Sequence, residues 1–187
     1  MKTPIAPVSF NDELLILVDE NDRELGYKTK EECHNGEGIL HRAFSVFIFN
    51  QRNELLMQKR SAQKRLWPLY WSNSCCSHPR AGESYETATQ RRLKEELGFE
   101  TPLQFLFRFQ YQAPFGEKGS ENELCSVYAG RYNEEIHPNE NEIAEWKFMT
   151  IEALNRQLKT HPDQFTPWFK LEWARLKNDF LPTLKSL

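Results

Sequence analysis

Apolar residues along this chain fall in short runs broken by polar turns, and the breaks predict more strands than helices. Leu14 to Val18 (LLILV) lies between acidic flanks and reads as a strand, with Asp19 to Asp22 as the turn after it. Lys28 to Asn35 is polar and Gly36 to Gly38 reads as loop. His41 opens Ala43 to Phe49 (AFSVFIF), a β-rich run; Asn50 to Asn53 makes a hairpin turn and Glu54 to Lys59 the returning strand. Ser61 to Trp67 is a basic loop ending at Pro68, and Tyr70 to Asn73 a short strand. Ser84 suits a helix N-cap and Gly98 the left-handed position past a helix end. Between them Tyr85, Ala88, Leu93 and Leu97 trace an apolar stripe, with Arg92 and Glu96 four apart beside it. Gln104 to Gln112 alternates aromatic and polar residues as a strand does, Pro114 to Ser120 is loop, and Glu123 to Gly130 and Ile143 to Met149 are further strands. Thr150 caps a helix through Leu158, and a last helical segment runs from Trp168 to Leu176. Strands interspersed with helices give an α/β or α+β class, with helices covering a mixed sheet.

Composition narrows the functional classes. At 187 residues the chain is read as one domain, residues 1–187, large enough for a real core, and its 13 Phe and 5 Trp suit a bulky one. A net charge of −3 argues against a general nucleic-acid binder. No apolar run approaches the roughly 20 residues that span a bilayer. The opening MKTPIAPVSFNDELL lacks the apolar core of a signal peptide, so a cytoplasmic protein is expected, with Cys33, Cys75, Cys76 and Cys125 as thiols.

Chemistry concentrates between Trp71 and Gly98, where a thiol pair, a histidine and a charged helix follow one another. Alone, the RRLKEE helix is a solvated face with ion pairs such as Arg91–Glu95. Yet Glu83, Arg91, Leu93, Glu95, Glu96, Gly98 and Phe99 match most of a Nudix box. Two positions depart from it: Ser77 stands for the leading glycine, and Arg92 for the glutamate after the arginine. Nudix hydrolases use such glutamates to hold Mg²⁺ around a diphosphate. A cation in one of those places argues against ordinary hydrolysis and suits a direct grip on a diphosphate.

The histidines give a second cluster. His137 and His161 lie in polar, proline-flanked loops and read as surface residues. His34, His41 and His78 gain interest from Glu121 and Glu123, because residues two apart on a strand share a face. Three imidazoles and two carboxylates suit a divalent ion such as Mn²⁺, Mg²⁺, Fe²⁺ or Zn²⁺. Cys125, and with it Cys33, reads as packing, whereas one of Cys75 and Cys76 should face a polar cleft. Lys30, Arg60, Lys64 and Arg92 come from separate segments and by themselves read as solvated charge.

Together these residues resemble type I isopentenyl diphosphate isomerase in its short bacterial form, over about Leu25 to Trp168. The carrying pieces are His34 and His41-Arg-Ala-Phe-Ser, Lys59-Arg60, Trp67-Pro68, Trp71-Ser-Asn-Ser-Cys-Cys-Ser-His-Pro79, Gly82-Glu83-Ser84, Arg91-Arg92, Glu95-Glu96-Leu97-Gly98, Tyr111, Glu121-Asn-Glu123 and Pro167-Trp168. The resemblance implies a Nudix-like mixed β-sheet core flanked by helices, and interconversion of isopentenyl and dimethylallyl diphosphate through a tertiary carbocation. It implies that Cys76 and Glu123 transfer the protons, that Tyr111 assists Glu123, and that Trp168 offers its π face to the cation. It also implies one divalent ion (Mn²⁺, Mg²⁺ or Zn²⁺) on His34, His41, His78, Glu121 and Glu123, and a Mg²⁺ on the substrate diphosphate held by Glu96 and the Cys76 carbonyl. Lys30, Arg60, Lys64 and Arg92 would grip that diphosphate. The expected partner is an isoprenyl diphosphate, with no nucleic acid and no membrane, and the protein a monomer or weak dimer. Two alternatives stand beside this: a Nudix-type diphosphatase acting on a small diphosphate, and a non-catalytic metal or diphosphate-binding domain.

Overall fold

The computed structural model describes residues 6–186. Nine strands form one mixed sheet: β1 (Leu14–Val18), β2 (Glu24–Thr29), β3 (His41–Phe49), β4 (Leu55–Arg60), β5 (Trp71–Ser72), β6 (Cys75–Ser77), β7 (Leu103–Pro114), β8 (Ser120–Arg131) and β9 (Ile143–Met149). The helices are α1 (Lys30–Cys33), α2 (Tyr85–Leu97), α3 (Ile151–Thr160), α4 (Pro167–Arg175) and α5 (Leu181–Ser186). This is the α+β class read from the sequence. β3 and β8 run parallel, in register from His41 opposite Glu123 to Phe49 opposite Arg131, whereas the other pairings are antiparallel.

β3 reads as an apolar run because it is covered on both faces. Phe44, Val46 and Ile48 pack with Ala88, Leu93 and Leu97 of α2. Ala43, Phe47 and Phe49 pack on the other side with Phe165, Trp168, Phe169 and Trp173. Each of the Phe, Val, Ile and Leu side chains among them contributes about 2 kcal/mol when fully buried. The stripe of α2 turns inward as read, and it carries Arg92 and Glu96 with it into the interior.

The helix ends follow their caps. The Ser84 hydroxyl accepts from Thr87 N–H, Thr150 does the same for Ala153, and Gly98 takes φ 83°. A Cβ at position 98 would also meet His137 Cβ at 2.9 Å. Four elements differ from the sequence reading, and one of them is α5, which lies beyond the last helical segment read, Trp168 to Leu176. β2 (ELGYKT) is an edge strand with no buried residue, so no apolar pattern marks it. α1 is one turn, created by a capping box in which Thr29 and Glu32 satisfy each other's backbone N–H. β6 is polar and short. Among the described residues, no helix is long and apolar enough to cross a membrane.

Candidate active site

The site lies at one end of the β3–β8 pair. Parallel register sets His41 beside Glu123, and antiparallel register sets Tyr111 of β7 beside Glu123 from the other side. Glu121, two residues earlier on β8, shares that face. His34 is the C-cap of α1, and its carbonyl accepts from Ser120 N–H at 3.1 Å. Gly119 permits this approach: its φ is 132°, and a Cβ there would lie 2.0 Å from the His34 oxygen. His78 follows β6, which pairs with β3.

The five side chains converge. Each of His34, His41, His78, Glu121 and Glu123 offers one ligand atom, and those atoms lie within 4.8 Å of one another, all buried. Two rings are oriented by backbone: His34 Nδ1 donates to Lys30 O at 2.6 Å and His41 Nδ1 to Ile39 O at 2.7 Å. The Nε2 of His34 then faces Glu121 Oε2 at 2.7 Å. His41 Nε2 and His78 Nδ1 are buried without a hydrogen-bond partner, as is Glu121 Oε2. Burial, and then the neighbouring histidines, hold His41 at about 3 and His78 well below the usual imidazole range. Neither ring therefore takes a second proton near neutrality, and the lone pairs left on them are ones a shared cation would satisfy. Burial works to raise both carboxyls, but His34 holds Glu121 at about 2, whereas Glu121's own charge adds to the rise of Glu123. The donor set and its orphaned atoms fit a divalent ion. Purified protein should carry about one tightly held ion per chain by elemental analysis. His41→Ala should lower that content; full occupancy in both His41→Ala and His34→Ala would remove the cluster as a metal site.

A cavity of about 260 Å³ adjoins this cluster, lined by Cys76, Tyr111, Glu123 and Trp168 at one part and by Lys30, Arg60, Lys64 and Arg92 at another. Strand alternation separates the two thiols: Cys75 packs fully buried in the α2-side core, while half-buried Cys76 lines the cavity. Burial pushes the Cys76 thiol up to about 12, although Arg60, with Nη1 3.8 Å from the sulfur, works against it. Tyr111 donates its hydroxyl to Glu123 Oε2 at 2.6 Å, and His78 Nε2 meets Oε1 at 2.9 Å. Trp168 reaches the site from the far end of the chain because Thr166 N–H bonds Trp71 O at 3.0 Å and Trp168 Nε1 donates to Ser72 Oγ at 3.0 Å.

The cations are already engaged. Arg60 donates to Trp67 O and Leu66 O at 3.1 and 3.0 Å and lies 5.2 Å from the Trp168 ring centre. Lys30 donates to Ser9 Oγ, and Lys64 to Glu142. All five N–H groups of Arg92 have acceptors: Glu96 takes Nε and one of Nη2, Glu142 the other of Nη2, and Val8 O and Glu95 those of Nη1.

Residues 39–169 match the NUDIX domain model. "Isopentenyl-diphosphate Delta-isomerase 1" of Photorhabdus laumondii is 42% identical over 172 residues, covering 90% of this chain and 97% of its own length. "Isopentenyl-diphosphate delta-isomerase" of Schizosaccharomyces pombe is 40% identical, covering 86% of this chain and 80% of its own length. This chain belongs to the isopentenyl-diphosphate Delta-isomerase family. Among solved structures, DR0079 of Deinococcus radiodurans matches with a TM-score of 0.70 at 25% identity, over 85% of this chain and 96% of its own. A MutT protein of Methanosarcina mazei shares the fold at a TM-score of 0.60 and 17% identity, over 75% and 94%.

In this Delta-isomerase family member, the proposed site side chains line the cavity except His41 and Glu96, which are covered behind it. The Nudix-box Glu83 and Arg91 are bonded to each other at 2.6 and 2.8 Å and hold the loop before α2 to that helix. Glu142 and Ser9 are in the cavity wall but were not singled out in the sequence. Neither sits in a motif or on a periodic face, so only the folded chain brings them there.

Proposed function

We propose that the cavity is the isomerase site, with Cys76 and Glu123 dividing the two proton transfers. The protein interconverts isopentenyl and dimethylallyl diphosphate. One of the two residues delivers a proton to the terminal alkene carbon, leaving a tertiary carbocation. The other removes a proton from the carbon next to the cation on the diphosphate side, and the double bond moves by one position. An unactivated alkene is a very weak base, so both partners must be positioned and water excluded. The single observation that carries this reading is one cavity joining Cys76, Tyr111-bonded Glu123 and Trp168 to four cations.

Lys30, Arg60, Lys64 and Arg92 are assigned to the diphosphate, each exchanging or sharing its present partner. The Mg²⁺ that accompanies the diphosphate is assigned to Glu96 and the Cys76 carbonyl, and the further ion (Mn²⁺, Mg²⁺ or Zn²⁺) to His34, His41, His78, Glu121 and Glu123. When bound, these ions supply fixed positive charge beside the diphosphate and beside Glu123. Remote binding energy from the diphosphate orients the short hydrocarbon end. The reading includes a cytoplasmic monomer or weak dimer, one domain over residues 1–187, with no nucleic acid or membrane partner; the net charge of −3 and four unpaired thiols support it.

Hydrolysis is set aside because Arg92 occupies a position where a Nudix hydrolase has a glutamate, and it already neutralises Glu96. The test is product analysis with Mg²⁺: isopentenyl diphosphate should yield dimethylallyl diphosphate without orthophosphate, and nucleoside diphosphate derivatives should release none. Phosphate release without the isomer would support the diphosphatase instead.

Trp168 is assigned to the cation. Trp168→Phe keeps an aromatic face and should lower kcat moderately; Trp168→Leu keeps bulk but no π face and should lower it much more. KM should change less than kcat, since the diphosphate is bound elsewhere. Equal kcat in folded Phe and Leu variants would reduce Trp168 to packing against Trp67, whose ring centre is 5.2 Å away.

A further inference from the structure

Glu142 lies in the turn before β9, buried, where no motif marks it. Its Oε2 accepts from two cavity cations at once, Lys64 Nζ and Arg92 Nη2, the latter at 3.1 Å. The backbone of the same residue is fixed on both sides. Glu142 N–H donates to Asn139 O at 2.9 Å, and Glu142 O accepts from Ser61 N–H at 2.9 Å. Ser61 begins the loop that carries Lys64, and Lys64 N–H returns to Ser61 O at 3.2 Å. One residue thus holds the Lys64 loop by its main chain and the Lys64 ammonium by its side chain.

We propose that Glu142 is a positioning residue for the diphosphate subsite, ordering Lys64 and Arg92 before the substrate arrives. The inference rests on the reading of the cavity as a diphosphate site and adds a residue to it. Lys64 has a flexible four-carbon stem whose rotamer freedom is lost when it is ordered. Beside Arg92 and Lys30, an unanchored ammonium would be pushed toward water by like charge. A carboxylate anchored through its own backbone removes both problems. It also takes only one of the three N–H donors of Lys64, leaving two for phosphate oxygens. The opposing effect is competition, because a carboxylate in a cationic site weakens its pull on an anion. The rigid mounting of Glu142 and the donors left on Lys64 make ordering the larger effect.

The experiment compares wild type, Glu142→Gln, Lys64→Met and the double variant, each checked for folding by circular dichroism. It uses steady-state kinetics with isopentenyl diphosphate and calorimetry with inorganic pyrophosphate. Glu142→Gln should raise KM about ten-fold and weaken pyrophosphate binding by a similar factor, with kcat changed only about two-fold. Glu142→Asp, which keeps the charge on a shorter stem, should fall between Gln and wild type. In the Lys64→Met background, Glu142→Gln should add clearly less than in wild type, only the part that acts through Arg92. Unchanged or tighter pyrophosphate binding in folded Glu142→Gln, or its full effect persisting without Lys64, would overturn the inference while an active wild type left the isomerase reading standing. Wild type that neither isomerises nor binds pyrophosphate would overturn both.

Discussion

Cys76→Ala should lower isomerisation at least about 10³-fold, while Cys75→Ala leaves most of it. The two residues are adjacent on β6, and alternation along the strand sends them to opposite sides. Cys75 packs with Val46, Ala88 and Leu93, with no exposed surface. Its truncation leaves a small cavity and costs about 1 kcal/mol of stability, but removes nothing from the site. Cys76 lines the cavity, 3.8 Å from Arg60 Nη1. Its high thiol value keeps the proton on sulfur at neutral pH, where it can be delivered. Serine would fill nearly the same space with a far weaker acid, so Cys76→Ser should also be severely impaired. A dead Cys75→Ala beside an active Cys76→Ala would place the reacting thiol on the wrong residue.

Glu123→Gln should cost at least about 10³-fold in kcat, and Tyr111→Phe about ten-fold. Glu123 is held from two sides, by the Tyr111 hydroxyl at 2.6 Å and His78 at 2.9 Å. Glutamine keeps the shape but cannot exchange a proton with carbon. Because Glu123 also belongs to the metal-binding cluster, elemental analysis must accompany the kinetics. A variant that regains activity with excess divalent ion would have lost the ion rather than the acid–base group. Near-normal turnover in metal-loaded Glu123→Gln would remove Glu123 from the chemistry.

What could be read in advance follows from how local each signal is. Ser84 and Gly98 bracket α2 because a cap hydroxyl and a left-handed glycine act within one turn, and β3 announces itself as a run buried on both faces. Glu121 and Glu123 were legible as a pair because strand periodicity alone puts them on one face. β6 was hidden, since a strand of Cys75–Ser77 owes its existence to pairing with β3 and not to its own pattern. The resemblance pointed to Cys76, but the physical reason the two thiols face opposite sides comes from that pairing. Arg92 shows the same limit. Its helical position was plain, yet the contacts that occupy all its N–H groups come from Val8, Glu95, Glu96 and Glu142, and the first and last of these are distant in sequence. Gly119 is a loop glycine until the His34 carbonyl is seen against it.

The most direct measurement is NMR of isopentenyl diphosphate incubated with the purified protein and Mg²⁺ in D₂O. A solvent-exchanged proton donor should place deuterium in a methyl group of newly formed dimethylallyl diphosphate, with the diphosphate intact by phosphorus NMR. Orthophosphate appearing while the double bond stays in place, or no change in either spectrum, would contradict the account.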